Sequence, residues 1–181
     1  MRASVRLARP IQNLIVSSLA VALFSAPASA KDQQPIKESI VINAPPETVF
    51  NIIRKQRNSN EMHRHQKSFD GKVAVIDENM EGVTVYGKVH CVWQETEQPY
   101  TRIDFKMLES DKFKSGFGSW ILTPSQDGNQ TTLEFDNFLD SGLKIPFAGQ
   151  ITKMAAHGDA KKRLEHIKEV AEAETRKESS K

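Results

Sequence analysis

The 181-residue chain has a single cysteine, Cys91. One thiol cannot close an intramolecular disulfide, so the core alone must hold the fold. Cys91 sits in an apolar alternation, which makes it a small core hydrophobe rather than a reactive group. Also lacking is an apolar run long enough to span a bilayer, since Leu14–Phe24 is too short. No serine or threonine has the Gly-x-Ser-x-Gly context of a hydrolase. There are no internal repeats and no low-complexity linker.

What is present begins with a leader. Arg2, Arg6 and Arg9 precede the apolar run, and Ala28-Ser29-Ala30 supplies small residues at a cleavage point. This is the pattern of a secretory signal peptide over residues 1–30, and it predicts export by the Sec route to a periplasmic or secreted location. No cysteine stands at the cleavage point and Arg9-Pro10 is not a twin-arginine pair, so a lipid anchor and the twin-arginine route are not indicated. All three leader charges are arginines. Without them 22 basic residues face 23 acidic ones, a net charge of −1, and no nucleic-acid footprint remains.

The remainder fits one domain, residues 31–174, with a charged, apolar-poor tail at 175–181 expected to be disordered. Ile36–Asn43 alternates as a first strand. Ala44-Pro45-Pro46-Glu47 opens a helix that carries Val49, Phe50 and Ile53 on one face. The polar run 54–60 ends it, and a second helical turn is expected near Asn60–His65. The period then switches to two. Strands are expected over Phe69–Asp77, Val83–Trp93 after a Glu81-Gly82 turn, and Ile103–Met107 after Gln98-Pro99. Ser115–Thr123 follows, where Gly116 and Gly118 suggest a bulge. Asp127-Gly128 turns into Thr131–Asp140. Ile145-Pro146 then opens a helix running to about Ala173, with no further proline. The pattern is α+β: about six to seven antiparallel strands in a curved sheet, one or two short helices after the first strand, and one long C-terminal helix as cover.

Three local patterns resemble the helix-grip superfamily, which includes START domains, birch-pollen-allergen-like proteins and polyketide cyclase/dehydrase-like proteins. They are Ile40-Val41-Ile42-Asn43-Ala44-Pro45-Pro46-Glu47-Thr48-Val49-Phe50, Gly118-Ser119-Trp120-Ile121-Leu122-Thr123-Pro124 with Asp127-Gly128, and Ile145-Pro146 opening the last helix. Together they span essentially all of the chain after the leader. The resemblance implies an apolar ligand, such as a lipid, sterol, quinone or polyketide-like molecule, held between sheet and helix. It does not decide among a carrier or sequestering protein, a cyclase or dehydratase, and an accessory protein with a closed pocket. The segment 57–66 departs from the family by being polar and basic, and His63-Arg64-His65 within it reads as solvated.

On that scaffold the ligand-facing candidates are Val89, Trp93, Phe105, Met107, Trp120, Leu122, Phe135, Asn137, Phe147, Ile151 and Met154. Phe117 has the opposite parity to Trp120, so only a bulge would turn both inward. Asn137 follows Leu133 and Phe135 on their apolar side, where a buried amide needs a partner, either a ligand or neighbouring backbone. An enzyme would need proton-transfer groups, for which Tyr86, His90 and Asn137 are the candidates. Lys88 shares the face of Tyr86 and His90, which makes that face the wet one. His63 and His65 lack the further ligands a metal requires. No metal and no cofactor are expected, and a non-catalytic carrier is the favoured reading.

The last helix carries two apolar clusters on nearly opposite sides: Phe147, Ile151, Met154, Ala155 and Gly158 on one, Ala160, Leu164, Ile167 and Ala171 on the other. Either it breaks near Gly158-Asp159, or it is continuous, packs the sheet through Gly149, Ala156, Ala160, Leu164 and Ile167, and exposes Phe147, Ile151 and Met154. The absence of proline from His157 to Arg163 favours continuity. The exposed patch would then suit a cavity lip or a transient membrane contact.

Overall fold

Alternating sequence makes the sheet, and one long helix covers it. The computed structural model describes residues 35–83, 86–143 and 148–180; the leader, Ile145, Pro146 and Phe147 lie outside them. The strands are β1 (Ile36–Ile42), β2 (Arg64–Phe69), β3 (Val73–Val83), β4 (Gly87–Gln98), β5 (Arg102–Ser110), β6 (Ser115–Pro124) and β7 (Thr131–Asp140). Helix α1 (Pro46–Lys55) runs into a 3-10 turn, Gln56–Asn58, and α2 (Ala148–Ser179) closes the chain. One antiparallel sheet orders the strands β1-β7-β6-β5-β4-β3-β2. This is the α+β arrangement expected from the sequence.

Local chemistry explains the helix ends. Pro46 occupies the first turn of α1, where no N–H is needed; Glu47 lies in that turn, and Arg54 and Lys55 lie in the last one. Val49, Phe50, Ile52 and Ile53 bury its inner face. Helix α2 is continuous through Gly158, so the unbroken alternative holds. Ala160, Leu164, Ile167 and Ala171 are buried against Ile42, Ile103, Leu122 and Leu133 of the sheet. Met154 projects outward at 76% exposure.

Four expectations are corrected. Of the helical turn expected near Asn60–His65, residues 60–63 do turn, the His63 N–H donating to the Asn60 carbonyl at 3.1 Å, but Arg64–Phe69 is edge strand β2, because β3 supplies the hydrogen-bond partners that an unpatterned edge strand needs. The chain reverses at His63, whose φ is 47°. Strand β3 runs past Glu81-Gly82 to Val83, and β4 begins only at Gly87, whose φ of 71° suits a turn glycine. The β6–β7 ladder is regular from Ser115 to Pro124, so Gly116 and Gly118 make no bulge there. Instead they leave room for rings: a Cβ at Gly116 would lie 2.8 Å from Trp93, and one at Gly118 would lie 2.5 Å from Phe105. Phe117 accordingly faces outward and stacks on Phe138 at 4.8 Å. Finally, α2 extends to Ser179 through residues expected to be a disordered tail, since their Glu, Lys and Arg side chains are good helix formers.

Candidate functional site

A cavity lies between the first half of α2 and the sheet. Its outer compartment, about 170 Å³, lies between Ile151, Thr152, Ala155 and Ala156 of α2 and Tyr86, Phe113, Ser141 and Leu143 opposite. Its inner compartment, about 60 Å³, is walled by Trp93, Phe105, Trp120 and Phe135. Met80, Asn137, Leu139 and Asp159 border both. The four rings form a connected wall: Trp120 to Phe135 at 4.1 Å, Phe135 to Phe105 at 5.6 Å, Phe105 to Trp93 at 5.9 Å. Farther along α2 the small residues Ala160 and Ala171, with Leu164 and Ile167, bring the helix onto the sheet and leave no gap.

At the inner end the wall turns charged. Arg54, Glu97, Arg57, Glu95, Arg64, Glu78, Arg163 and Asp159 form an alternating chain of four arginines and four carboxylates. Arg57 Nε donates to Glu95 at 2.7 Å and Arg64 Nη2 to the same carboxylate at 2.8 Å. Arg163 Nη2 donates to Glu78 Oε1 at 3.1 Å, and its Nε reaches Asp159 at 2.7 Å. Arg57 is 1% exposed, Glu95 2% and Glu78 4%. Charges this deep persist only when paired and hydrogen-bonded. Burial alone would raise the Glu78 carboxyl, but the charges of Arg163 and Arg64 and the hydrogen bond from Arg163 outweigh it and hold it below the usual range. Burial likewise works against the Arg163 charge, and Glu78 and Asp159 more than restore it.

Of the residues singled out from sequence, Trp93, Phe105, Trp120, Phe135, Asn137 and Ile151 line the cavity. Val89, Met107 and Leu122 do not: Val89 packs with Ala74, Ile76 and Cys91, with Met107 against that cluster, and Leu122 sits where α2 touches the sheet. Met154 points to solvent outside the cavity wall, and Phe147 lies outside the described residues. Tyr86 is separated from His90 by the turn at Gly87. Its hydroxyl donates to the Ser141 carbonyl at 2.6 Å on the cavity wall. His90 lies off that wall, half-exposed and paired with Asp77 at 2.9 Å. Burial pushes the Cys91 thiol up to about 11, only partly offset by its contact with Ser110. Among the described residues no group of three or more His, Cys, Asp or Glu is placed to hold a metal.

The charged chain escaped the sequence reading. Arg57 lies in the polar run that ends the first helix and Arg64 between two histidines, where nothing in the local pattern points inward. One signal was available: the inward parity of Val89, Cys91 and Trp93 on β4 continues to Glu95 and Glu97, both buried.

An open antiparallel sheet gripping a C-terminal helix over an internal cavity is a helix-grip domain. The chain belongs to the family described as polyketide cyclase/dehydrase and lipid transport, which it matches over residues 33–172. Similar solved structures include the ZhuI aromatase/cyclase from Streptomyces sp. R1128, with 12% identity, TM-score 0.64, and 77% of this chain and 93% of that one covered. A START superfamily protein from Mycobacterium smegmatis shares 11% identity at TM-score 0.59, covering 76% and 99%. TTHA0849 from Thermus thermophilus shares 19% at TM-score 0.61, covering 77% and 97%. Among curated proteins none matches. The resemblance read from sequence therefore holds: the family match and the fold both place the chain in the helix-grip superfamily.

Proposed function

We propose that the protein is an exported carrier or sequestering protein that holds one apolar small molecule non-covalently between sheet and helix. The observation that carries this reading is the cavity lining: aromatic and aliphatic side chains make most of the wall, the buried charges of the inner compartment are paired with one another, and of the carboxylates only Glu81 and Asp159 reach the outer one. Glu78 is held ionised by arginines, so it is a poor proton donor at neutral pH. His90, the best acid/base candidate on sequence grounds, lies off the cavity wall. A cyclase or dehydratase remains the second reading, favoured by Tyr86 and Asn137 on one compartment wall. Export rests on the leader at residues 1–30, and transient membrane contact on the solvent-facing Met154 beside the mouth residue Ile151.

Native mass spectrometry with lipidomics, on protein recovered from its own host, tests the carrier reading. A co-purifying isoprenoid, sterol or lipid is the expected result. A ligand-free spectrum with no uptake from liposomes would overturn it, and turnover of a bound polyketide-like probe would favour the enzyme. A mature N-terminus at Lys31 in a cell-envelope or culture fraction is expected if the leader is cleaved.

A further inference from the structure

Two N–H groups at the inner end of the cavity approach Glu78 without completing a hydrogen bond to it. Arg64 Nε stands 3.7 Å from Glu78 Oε2, too far for a hydrogen bond. Trp93 is near enough to Glu78 to help hold its charge, yet its indole N–H makes no hydrogen bond to it. Both side chains are more than nine-tenths buried, and both line the inner compartment. A buried unpaired donor is costly, and native proteins rarely leave two together without a partner. Glu78 has spare capacity as well: Oε1 takes the Arg163 bond, whereas Arg64 approaches Oε2 only at 3.7 Å.

The site therefore offers two donors and one carboxylate oxygen, set among charges that already cancel. A carboxylate or phosphate head would add an unpaired negative charge beside Glu78, Glu95 and Asp159. An ammonium head would face Arg64 and Arg163. A ketone oxygen would satisfy the N–H groups but give nothing to Glu78. A hydroxyl accepts from the N–H groups and donates to the carboxylate, and hydrogen bonds to ionised groups are the stronger kind. Resting on the apolar-ligand reading above, we propose that the inner end of the cavity selects an uncharged ligand whose apolar body ends in a hydroxyl group, held by Arg64, Trp93 and Glu78. The body then lies along the aromatic wall towards Ile151 and the mouth.

The chain's two tryptophans, Trp93 and Trp120, both line the inner compartment, so intrinsic fluorescence reports its occupancy. The protein as isolated is titrated at neutral pH with 1-octanol, 2-octanone, octanoate and octane, which share a body and differ at the head. The expected order places 1-octanol about tenfold tighter than octane and octanoate, with 2-octanone between. In Trp93→Phe, which keeps a ring and leaves Trp120 as reporter, the preference for octanol over octane falls by about threefold. Because the four ligands are compared on the unmodified protein, the result does not depend on the variant folding. Equal binding of octanol and octane, as would follow if ordered water satisfied the N–H groups in every complex, overturns the head-group assignment and leaves the apolar-ligand reading standing. So does octanone matching octanol, or octanoate binding best. If no probe binds, octane included, the apolar-ligand reading falls and this assignment falls with it.

Discussion

Replacing Glu95 with Gln keeps the shape of the side chain and removes one charge from the middle of the buried chain. Glu95 is 2% exposed and accepts from two arginines, at 2.7 and 2.8 Å. Without its charge, Arg57 keeps only Glu97, and Arg64 keeps only Glu78 at 3.7 Å. Removing one partner of a buried pair costs about 3–5 kcal/mol, because an uncompensated charge stays behind. Against a typical domain stability of about 5–15 kcal/mol this is a large share. At about 2–4 °C per kcal/mol for a chain of this size, Tm should fall by about 6–20 °C. Urea denaturation followed by circular dichroism gives the free energy directly, and the loss should persist in about 1 M salt, since buried pairs are poorly screened. A loss below about 1 kcal/mol would refute the claim that these charges are buried and mutually dependent. The companion variant, Arg57→Met with Glu95→Leu and Arg64→Met, removes the three central groups together, leaves Arg54–Glu97 and Arg163–Glu78 paired, and should recover part of the stability, as apolar replacements of buried ion clusters do. On the head-group proposal, the same variant binds octane and no longer prefers octanol.

Other outcomes follow from single residues. Met154→Asp should change stability by no more than about 0.5 kcal/mol, since the side chain is 76% exposed; slower ligand transfer from liposomes is expected, and substantial unfolding in urea would show the position to be core. Gly118→Ala should cost about 1–3 kcal/mol or more by thermal melting, because the new methyl overlaps the Asp136 carbonyl and meets Phe105 at 2.5 Å. Glu78 has a lowered carboxyl, so its contribution is complete above the ordinary carboxylate value of about 4.3 and is lost as pH falls through its lower folded value. Stability measured across that acid range should drop, and Glu78→Gln should flatten the drop. Cys91, with its thiol pushed to about 11 and fully buried, should resist a thiol reagent at about pH 8 until the protein is unfolded.

The parts of the fold legible from sequence are those whose signal is periodic and local. The alternation of Thr131–Asp140 marks β7 at its observed ends, and Asp127-Gly128 marks the turn before it, with Gly128 at φ 71°. The two apolar clusters on α2, read with the absence of proline, allowed a continuous helix with one face on the sheet and Met154 outside. Strand β2 was illegible because an edge strand rich in Arg, His, Gln and Lys carries no alternation of its own. Its identity comes from the hydrogen bonds that β3 offers. The parity of Tyr86 and His90 misled for a related reason: a turn between them resets the count, and Gly87 alone hints at it.

The candidate site divides in the same way. Trp93, Phe105, Trp120 and Phe135 announce an inward face by their spacing along single strands, and that much the sequence determined, together with the element types and their order. Arg57, Arg64, Glu78, Glu95 and Arg163 announce nothing, because a charged residue without a neighbouring partner reads as solvated. Their partners lie 38, 31 and 85 residues away for the pairs Arg57–Glu95, Arg64–Glu95 and Arg163–Glu78. Only folding brings these charges together out of water, where mutual pairing replaces hydration. Where α2 rests on the sheet and where it stands away from it was decided there too, since a cavity belongs to the space between elements and not to the pattern of any one of them.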